Sequence, residues 1–214
     1  MKVLFTGFEP FGGESTNPSA VAVEHICLLP PPTGVQWQAL ILPVEFRRSA
    51  TLLQSCISSW QPDLVLCIGQ AGGRPQISLE QVAINLLEAR IPDNSGWQPS
   101  GEPVIATGPA AYFSTLPLKA IRQQLQQSGI PVNISYTAGT YVCNALMYQV
   151  LHHLSAMSSC RGGFIHIPYT PEQAAGKPDA ASMSVAVVVQ ALLEIVRCCQ
   201  QYSEDIAAVG GTLD

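Results

Sequence analysis

Cys143 is the residue of this sequence best placed to do chemistry. It follows the run Ile130–Tyr136, whose branched and aromatic residues favour a β-strand, and then a corner of small residues, Thr137–Thr140. After Cys143 the apolar residues recur at the spacing of one helix face, at Leu146, Met147, Val150, Leu151 and Leu154. Backbone N–H groups and the dipole at a helix start lower a thiol pKa and can hold an oxyanion. The pattern therefore indicates a cysteine nucleophile, with a buried packing cysteine as the alternative.

The chain has seven cysteines, and we interpret the other six as packing residues. They lie in apolar helix or strand patterns or in a serine-rich turn: Cys27, Cys56, Cys67, Cys160, Cys198 and Cys199. The number is odd, Cys-x-x-Cys pairs are absent from the sequence, and Met1–Gly7 predicts a strand rather than a signal peptide. These features predict free thiols in a reducing cytoplasm. None of the four histidines has ligand spacing to a cysteine pair, so we expect no metal.

His166 is the second candidate for catalysis. It stands near the end of the apolar strand pattern Phe164–Pro168. A histidine in such a strand is commonly a core residue. However, ligands of open α/β sheets bind outside the carboxyl ends of the strands, and Cys143 also follows a strand. Two reactive side chains on the same rim favour a catalytic pair.

Glu80 is the third candidate. If the segment Ile77–Leu87 is extended, Glu80 shares a face with Val82, Ile84 and Leu86 and needs a partner there. The alternatives are an exposed glutamate at a strand edge and a solvent-facing glutamate on a helix.

Alternating strand and helix patterns define the predicted fold. The run Asp63–Gly69 is uninterrupted and apolar, as in the middle of a parallel sheet. Helices are predicted at Val21–Leu28, Phe46–Trp60, Leu118–Gln127, after Cys143, and from Ser182 to about Gln200. We expect one catalytic domain over residues 1–214, a three-layer α/β/α sandwich with a mixed, mostly parallel central sheet.

Charge and hydropathy argue against two classes of partner. The net charge is −5 and the pI is near 5.3, without a basic stripe, so we expect no nucleic-acid partner. No segment approaches the roughly 20 apolar residues that span a bilayer, so we expect no membrane insertion. Only 12% of residues are charged, which suggests that part of the surface is buried between subunits.

A loop rich in glycine and phenylalanine, Thr6–Gly13, follows the first strand. Gly7 and Gly12 have the spacing of a phosphate-binding loop, but Gly13 stands where the lysine is required, so a nucleotide site is not supported. Phe8 and Phe11 either cover a hydrophobic edge or form an apolar wall for a ligand.

Four segments, in order along the chain, resemble the pyroglutamyl peptidase I family. They are Thr6–Ser19, Gly69–Arg74 followed by Glu80, Ser135–Asn144, and Phe164–Pro168. The resemblance implies a homotetrameric cysteine peptidase that removes N-terminal pyroglutamate from peptides through a thioester, without a cofactor. It implies that Cys143 is the nucleophile, His166 the general base and then acid, and Glu80 the residue that orients the imidazole. It also implies a phosphorylase/hydrolase-like fold.

Pyroglutamate is a flat, uncharged lactam, so its pocket is expected to be apolar with a few amide-recognising groups. The expected walls are Phe8, Phe11, Ile91, Tyr141 and Val142. Asn17 and Gln70 are expected to address the lactam, with main-chain groups as the alternative. Asn17 also suits the N-cap of a helix that begins at Pro18. By the resemblance, Arg90 lies near the site and gives electrostatic support to the oxyanion or triad.

Two other functions fit part of the pattern. The family's fold is similar to that of nucleoside phosphorylases, so a phosphate-dependent glycosyl transferase is one alternative; it would not need Cys143. A binding protein that keeps the pocket without catalysis is the other.

Overall fold

The computed structural model describes residues 1–157 and 159–211. The strands along these residues are β1 (Lys2–Phe8), β2 (Gln36–Leu42), β3 (Leu64–Gln70), β4 (Ile77–Glu80), β5 (Val82–Ile84), β6 (Leu87–Glu88), β7 (Ser100–Glu102), β8 (Ala111–Phe113), β9 (Val132–Ser135) and β10 (Arg161–Ile167). The helices are α1 (Pro18–Leu28), α2 (Arg48–Trp60), α3 (Leu118–Gln127), α4 (Val142–Leu154), α5 (Pro171–Ala174) and α6 (Val185–Gln201).

The central sheet has six strands in the order β2–β1–β3–β10–β4–β9. Strands β2, β1, β3 and β10 are parallel to one another. Strand β4 is antiparallel to β10, and β9 is parallel to β4, so the last two strands run in the opposite direction. The predicted mixed, mostly parallel sheet is confirmed.

Two hydrophobic cores lie on opposite faces of this sheet. Because side chains alternate along a strand, Leu64, Leu66 and Ile68 of β3 enter one core, and Val65 and Cys67 enter the other. The first core also contains apolar residues of α1, α3 and α6, and the second those of α2 and α4. The arrangement is the predicted three-layer sandwich. A single domain over residues 1–214 stays a prediction, and residues 212–214 lie outside the described chain.

The segment Ile77–Leu87 is not one continuous strand. The central sheet keeps only β4, which ends at Glu80. The next strand, β5, pairs with β8 in a separate two-stranded sheet, and β6 pairs with β7 in another. The chain leaves the central sheet where Gln81 N donates to Ser135 O, 2.7 Å away, at the end of the β4–β9 pairing. Glu80 therefore does not share one continuous strand face with Val82 and Ile84.

The helix starts follow the sequence closely. Asn17 caps α1, and its side chain accepts a hydrogen bond from Ser19 N at 3.0 Å. Pro18 occupies the first turn, as predicted. Helix α4 begins at Val142, one residue before Cys143. Within the described residues, no helix is long and apolar enough to cross a membrane.

Candidate active site

Cys143 lies in the first turn of α4, directly over the sheet. The N-cap residue Tyr141 gives the helix no side-chain capping bond. The backbone N–H groups of this turn are therefore not occupied by a capping side chain. A Cβ built on Gly69 would stand 2.7 Å from the Phe164 ring and 3.1 Å from Cys143 Sγ. The absence of a side chain at position 69 thus lets the thiol approach β3.

His166, Glu80 and Arg74 form a buried chain of charged and polar groups. Glu80 Oε1 lies 2.7 Å from His166 Nδ1 and 2.6 Å from Arg74 Nη1. Glu80 is fully buried and His166 nearly so, whereas about 30% of the Arg74 side chain is exposed. Arg74 Nη2 also donates to Thr137 O at 3.0 Å, in the loop that leads to Cys143. The arrangement ties the histidine, the carboxylate and the loop of the cysteine together.

Strand register explains why these residues meet. Gly69 of β3 pairs with His166 of β10. The His166 side chain therefore leaves the sheet beside Gly69, the position that Cys143 Sγ covers. In the antiparallel β4–β10 pair, Phe164 is opposite Glu80, and His166 is two residues further along. Diagonal neighbours of this kind lie within reach of long side chains. The reversal of β4 relative to β10 thus sets the Glu80–His166 contact.

The pKa of Glu80 is lower than its ordinary value. Burial by itself would raise it, but the hydrogen bond and charge of His166, with smaller contributions from Ser135 and Arg74, outweigh burial. Glu80 therefore stays a carboxylate at neutral pH. We assign the imidazole proton to Nδ1 of His166, which donates it to Glu80 Oε1.

The expectation of a lowered pKa at Cys143 is wrong for the thiol on its own. Burial, followed by the charge of Glu80 and the neighbouring Cys67, raises the pKa of Cys143 to about 12, and Arg74 offsets only part of this. The thiol lies over the position of Gly69, where burial disfavours a thiolate. A helix start is therefore insufficient to ionise this cysteine, and a base must take its proton.

A narrow pocket with a cavity volume of about 20 Å³ opens beside Cys143. Its lining contains six of the seven residues predicted to bind substrate: Phe8, Phe11, Asn17, Gln70, Tyr141 and Val142. Val44, which sequence reasoning missed, also lines it. Ile91, the seventh, is outside this lining and 46% exposed, although its neighbour Pro92 accepts a hydrogen bond from Tyr141 Oη at 2.9 Å. The binding roles of all seven residues stay predictions.

The two amide side chains of the pocket differ in how many of their polar atoms already have hydrogen-bond partners. Asn17 Oδ1 accepts from both Ser19 N and Ser19 Oγ, and Asn17 Nδ2 donates to Glu9 O at 3.0 Å. Gln70 Oε1 faces Gln173 Nε2 at 3.2 Å. Within the described residues, Gln70 Nε2 has no acceptor. Gln70 is therefore the better candidate to donate to a ligand.

The arginine that contacts the buried pair is Arg74. Arg90 is exposed, and its side chain forms no hydrogen bond or ion pair within residues 1–157 and 159–211. The contact of Arg74 is with Glu80, and the sequence analysis named Arg74 only as the last residue of a motif. A glutamate in an apolar strand pattern needs a partner, and Arg74, six residues earlier, is a nearby cation that could have been considered. Support from Arg90 stays a prediction.

Asp93 anchors the loop beside the pocket. It is 5% exposed, and its carboxylate accepts from Phe46 N at 3.0 Å, Trp97 N at 3.0 Å, and both Ser95 N and Ser95 Oγ. Burial raises the pKa of Asp93, but these hydrogen bonds outweigh burial and hold it below its ordinary value. The carboxylate thus joins the loop of Pro92 to the start of α2.

We expect Asp93→Asn to lower the free energy of unfolding by about 2 kcal/mol, since an amide N–H would face the donor Phe46 N. Thermal and urea unfolding at pH 7 measure the loss, with Glu204→Gln, the same loss of charge at an exposed position, as the control. Because the folded pKa of Asp93 is lowered, its stabilisation exists above the unfolded pKa and is lost as pH falls through the folded pKa. The difference between wild type and variant should therefore shrink below about pH 4. An unchanged difference at low pH would contradict this role.

Comparison with known proteins identifies the family. The family model for pyroglutamyl peptidase matches residues 1–202. The chain belongs to the pyroglutamyl peptidase family. Pyrrolidone-carboxylate peptidase 1 of Photorhabdus laumondii is 48% identical over 215 aligned residues, covering 98% of this chain and 97% of the relative. Pyrrolidone-carboxylate peptidase of Yersinia pestis is 50% identical over 213 aligned residues, covering 99% of each chain.

Solved structures of pyroglutamyl peptidases share the fold. Pyroglutamyl peptidase I of Bacillus amyloliquefaciens has a TM-score of 0.93 at 45% identity and covers 97% of this chain and 99% of its own. Pyrrolidone carboxyl peptidase of Thermococcus litoralis has a TM-score of 0.93 at 36% identity, with the same coverage. The resemblance found in the sequence motifs is confirmed, and so is the enzyme class, a cysteine-type pyroglutamyl peptidase.

Proposed function

We propose that this enzyme hydrolyses the bond after an N-terminal pyroglutamyl residue with Cys143 as nucleophile, His166 as base and acid, and Glu80 as the orienting carboxylate. The observation that carries the proposal is the contact between Glu80 and His166, which is 2.7 Å long. His166 lies on β10 and pairs there with Gly69 of β3, the position that Cys143 Sγ covers. The apolar pocket at Cys143 supports a small, uncharged acyl group as the part of the substrate that is held there.

The first step forms the thioester. His166 takes the proton of the Cys143 thiol through Nε2 and becomes an imidazolium, which the Glu80 carboxylate stabilises. The thiolate attacks the pyroglutamyl carbonyl carbon, and the carbonyl oxygen becomes an oxyanion beside the uncapped backbone N–H groups at the start of α4. The tetrahedral intermediate collapses, the carbon–nitrogen bond breaks, and the imidazolium gives its proton to the leaving amine.

The second step releases the acid. A water molecule donates a proton to His166 and attacks the thioester carbonyl. The carbon–sulfur bond then breaks, pyroglutamic acid leaves, and the imidazolium returns its proton to the Cys143 thiolate. Glu80 holds Nδ1–H throughout and keeps Nε2 free to exchange protons.

Specificity follows from the polarity of the pocket. The aromatic side chains Phe8, Phe11 and Tyr141 suit the flat faces of the lactam. Gln70 Nε2 can donate to the lactam carbonyl oxygen. A prolyl substrate lacks this oxygen and brings an ammonium group, and a glutaminyl substrate also brings an ammonium. Burying an unpaired ammonium in an apolar pocket is costly, so both substrates are disfavoured.

Release of a fluorescent amine from pyroglutamyl, prolyl and glutaminyl amides tests the proposed function under reducing conditions. We expect wild type to release the amine from the pyroglutamyl amide at least about 10³-fold faster than from the other two. Equal release from the prolyl amide would contradict the specificity. Absence of release from all three would contradict the peptidase proposal. Phosphate-dependent release of a base from nucleosides would then favour the glycosyl transferase.

Alkylation of Cys143 at different pH values tests the role of His166. With the base removed in His166→Ala, the raised pKa of Cys143 leaves little thiolate at pH 7. The rate of iodoacetamide labelling at Cys143 is then expected to rise about tenfold per pH unit up to at least pH 10. Wild type is expected to react faster at pH 7, because His166 accepts the proton. His25→Ala, on the exposed side of α1, serves as the control. Equal profiles for His166→Ala and wild type would contradict proton transfer to His166.

Two further properties are proposed, the first from the family resemblance and the second from the free thiols that the sequence predicts. We expect a homotetramer, which sedimentation velocity at micromolar concentration would measure as a species near four times 22.8 kDa. We expect the enzyme to act in the cytoplasm, since its chemistry needs a reduced thiol.

A further inference from the structure

A groove separate from the pocket at Cys143 lies on the other side of His166. It is open to solvent and has a volume of about 450 Å³. Its lining mixes the polar residues Arg74, Gln76, Ser78, Asn133, Ser135 and Thr137 with the less polar Pro75, Ile134 and Tyr136. Ser78 and Asn133 belong to β4 and β9, the two reversed strands at the edge of the sheet. The groove is therefore built mainly on the part of the sheet that runs against β10.

Strand register places this groove in line with the reacting groups. Gly69 pairs with His166, His166 pairs with Ser78, and Ser78 pairs with Asn133. Ser78 and Asn133 point to the same face as His166, because their neighbours along each strand enter the core on the opposite face. Neighbouring strands are about 4.8 Å apart, so His166 to Asn133 spans roughly 10 Å, or about three residues of extended peptide.

Two polar atoms in this groove lack partners. Ser78 is 1% exposed, and within the described residues neither Ser78 Oγ nor Asn133 Oδ1 has a hydrogen-bond partner. Buried polar atoms are ordinarily satisfied by protein, water or ligand. Arg74 already pairs with Glu80, so its charge is largely neutralised. The groove thus offers neutral donors and acceptors, which suits peptide amides better than an anion.

We propose that this groove binds the peptide chain that follows the pyroglutamyl residue, over about its first three residues. The inference rests on the proposed function. The pyroglutamyl group occupies the pocket on the β1 and β3 side of Cys143, and His166 must face the leaving amine to protonate it. The chain attached to that amine then continues past His166 toward Ser78 and Asn133. Backbone amides of the substrate supply the partners that these two side chains lack.

A substrate length series in wild type tests the groove without any substitution. We compare kcat/KM for pyroglutamyl-alanine amide with that for the same substrate extended by one, two and three further alanines. We expect kcat/KM to rise about tenfold or more over the first three residues and then to stop rising. Equal values along the series would overturn the groove proposal while leaving the proposed function intact. Hydrolysis of none of these substrates would instead contradict the proposed function itself.

Asn133→Leu gives a second test, because the apolar side chain fills the groove and removes the amide. The quantity measured is kcat/KM for the four-alanine peptide divided by kcat/KM for a pyroglutamyl coumarin amide, which has no peptide beyond the bond. We expect the ratio to fall about fivefold to twentyfold. Gln38→Leu, an exposed glutamine on β2 at the other edge of the sheet, is the matched control and should keep the wild-type ratio. An unchanged ratio in Asn133→Leu with a wild-type circular dichroism spectrum would overturn the proposal, and if that variant does not fold, the length series decides.

Discussion

Cys143→Ala is expected to lower kcat/KM for pyroglutamyl amides by about 10⁴-fold or more, since the variant has no atom that can form the acyl-enzyme. Substrate binding should persist, because the other pocket residues remain, so an excess of a pyroglutamyl peptide should still raise the melting temperature of the variant. Amine release under reducing conditions measures the first effect, and a thermal shift measures the second.

The matched control is Cys56→Ala, a half-buried cysteine on α2 outside the pocket. It should retain wild-type kcat/KM. Mass spectrometry of wild type quenched in acid during turnover should show one added pyroglutamyl group on the peptide that contains Cys143. Retention of more than about a tenth of the activity in Cys143→Ala would contradict a thioester mechanism at this residue.

Glu80→Gln is expected to lower kcat by about 10²- to 10⁴-fold with a much smaller change in KM. Glutamine keeps the shape of the side chain but loses the charge that stabilises the His166 imidazolium. Its amide N–H can also donate to Nδ1, which would place the imidazole proton on Nε2, the wrong nitrogen for accepting a proton from Cys143. Steady-state kinetics on a pyroglutamyl amide measure the split between kcat and KM.

Two controls separate this chemical effect from a structural one. Glu24→Gln, at an exposed position of α1, makes the same change of charge and should leave kcat unaltered. The Nδ1–H proton of His166, observed by NMR at low field in wild type, should shift upfield or disappear in Glu80→Gln. A normal kcat in Glu80→Gln would show that the 2.7 Å contact with His166 is structural only.

Local patterns in the sequence were sufficient for most secondary structure. Helix α3 matches its predicted bounds, Leu118–Gln127, because an amphipathic stripe and the Ser128–Gly129 stop are both local signals. The cap at Asn17 and the start of α4 beside Cys143 were also predicted correctly, since capping depends on a few adjacent residues. The apolar run of β3 indicated a strand buried on both faces, and both of its faces do enter hydrophobic cores.

The end of β4 could not be predicted from the local pattern of the sequence. The segment from Ile77 onward continues to look extended, but pairing partners change after Glu80, and those partners are far away in the sequence. Which strand a segment pairs with is a property of the tertiary fold, whereas alternation of side chains is a property of the strand alone.

The sequence by itself determined the family, the three candidate catalytic residues and most of the pocket residues, because motif order and residue type carry that information. The tertiary structure decided the electrostatics. Glu80 pairs with Arg74, to which the sequence analysis assigned no role. Burial, followed by the charges of Glu80 and Cys67, raises the pKa of Cys143 where the helix start alone would lower it. The physical reason is that a charge interaction depends on distance and on exclusion of water. Both are set by strand register and packing between residues far apart in the chain, and neither is encoded in the local pattern around a single side chain.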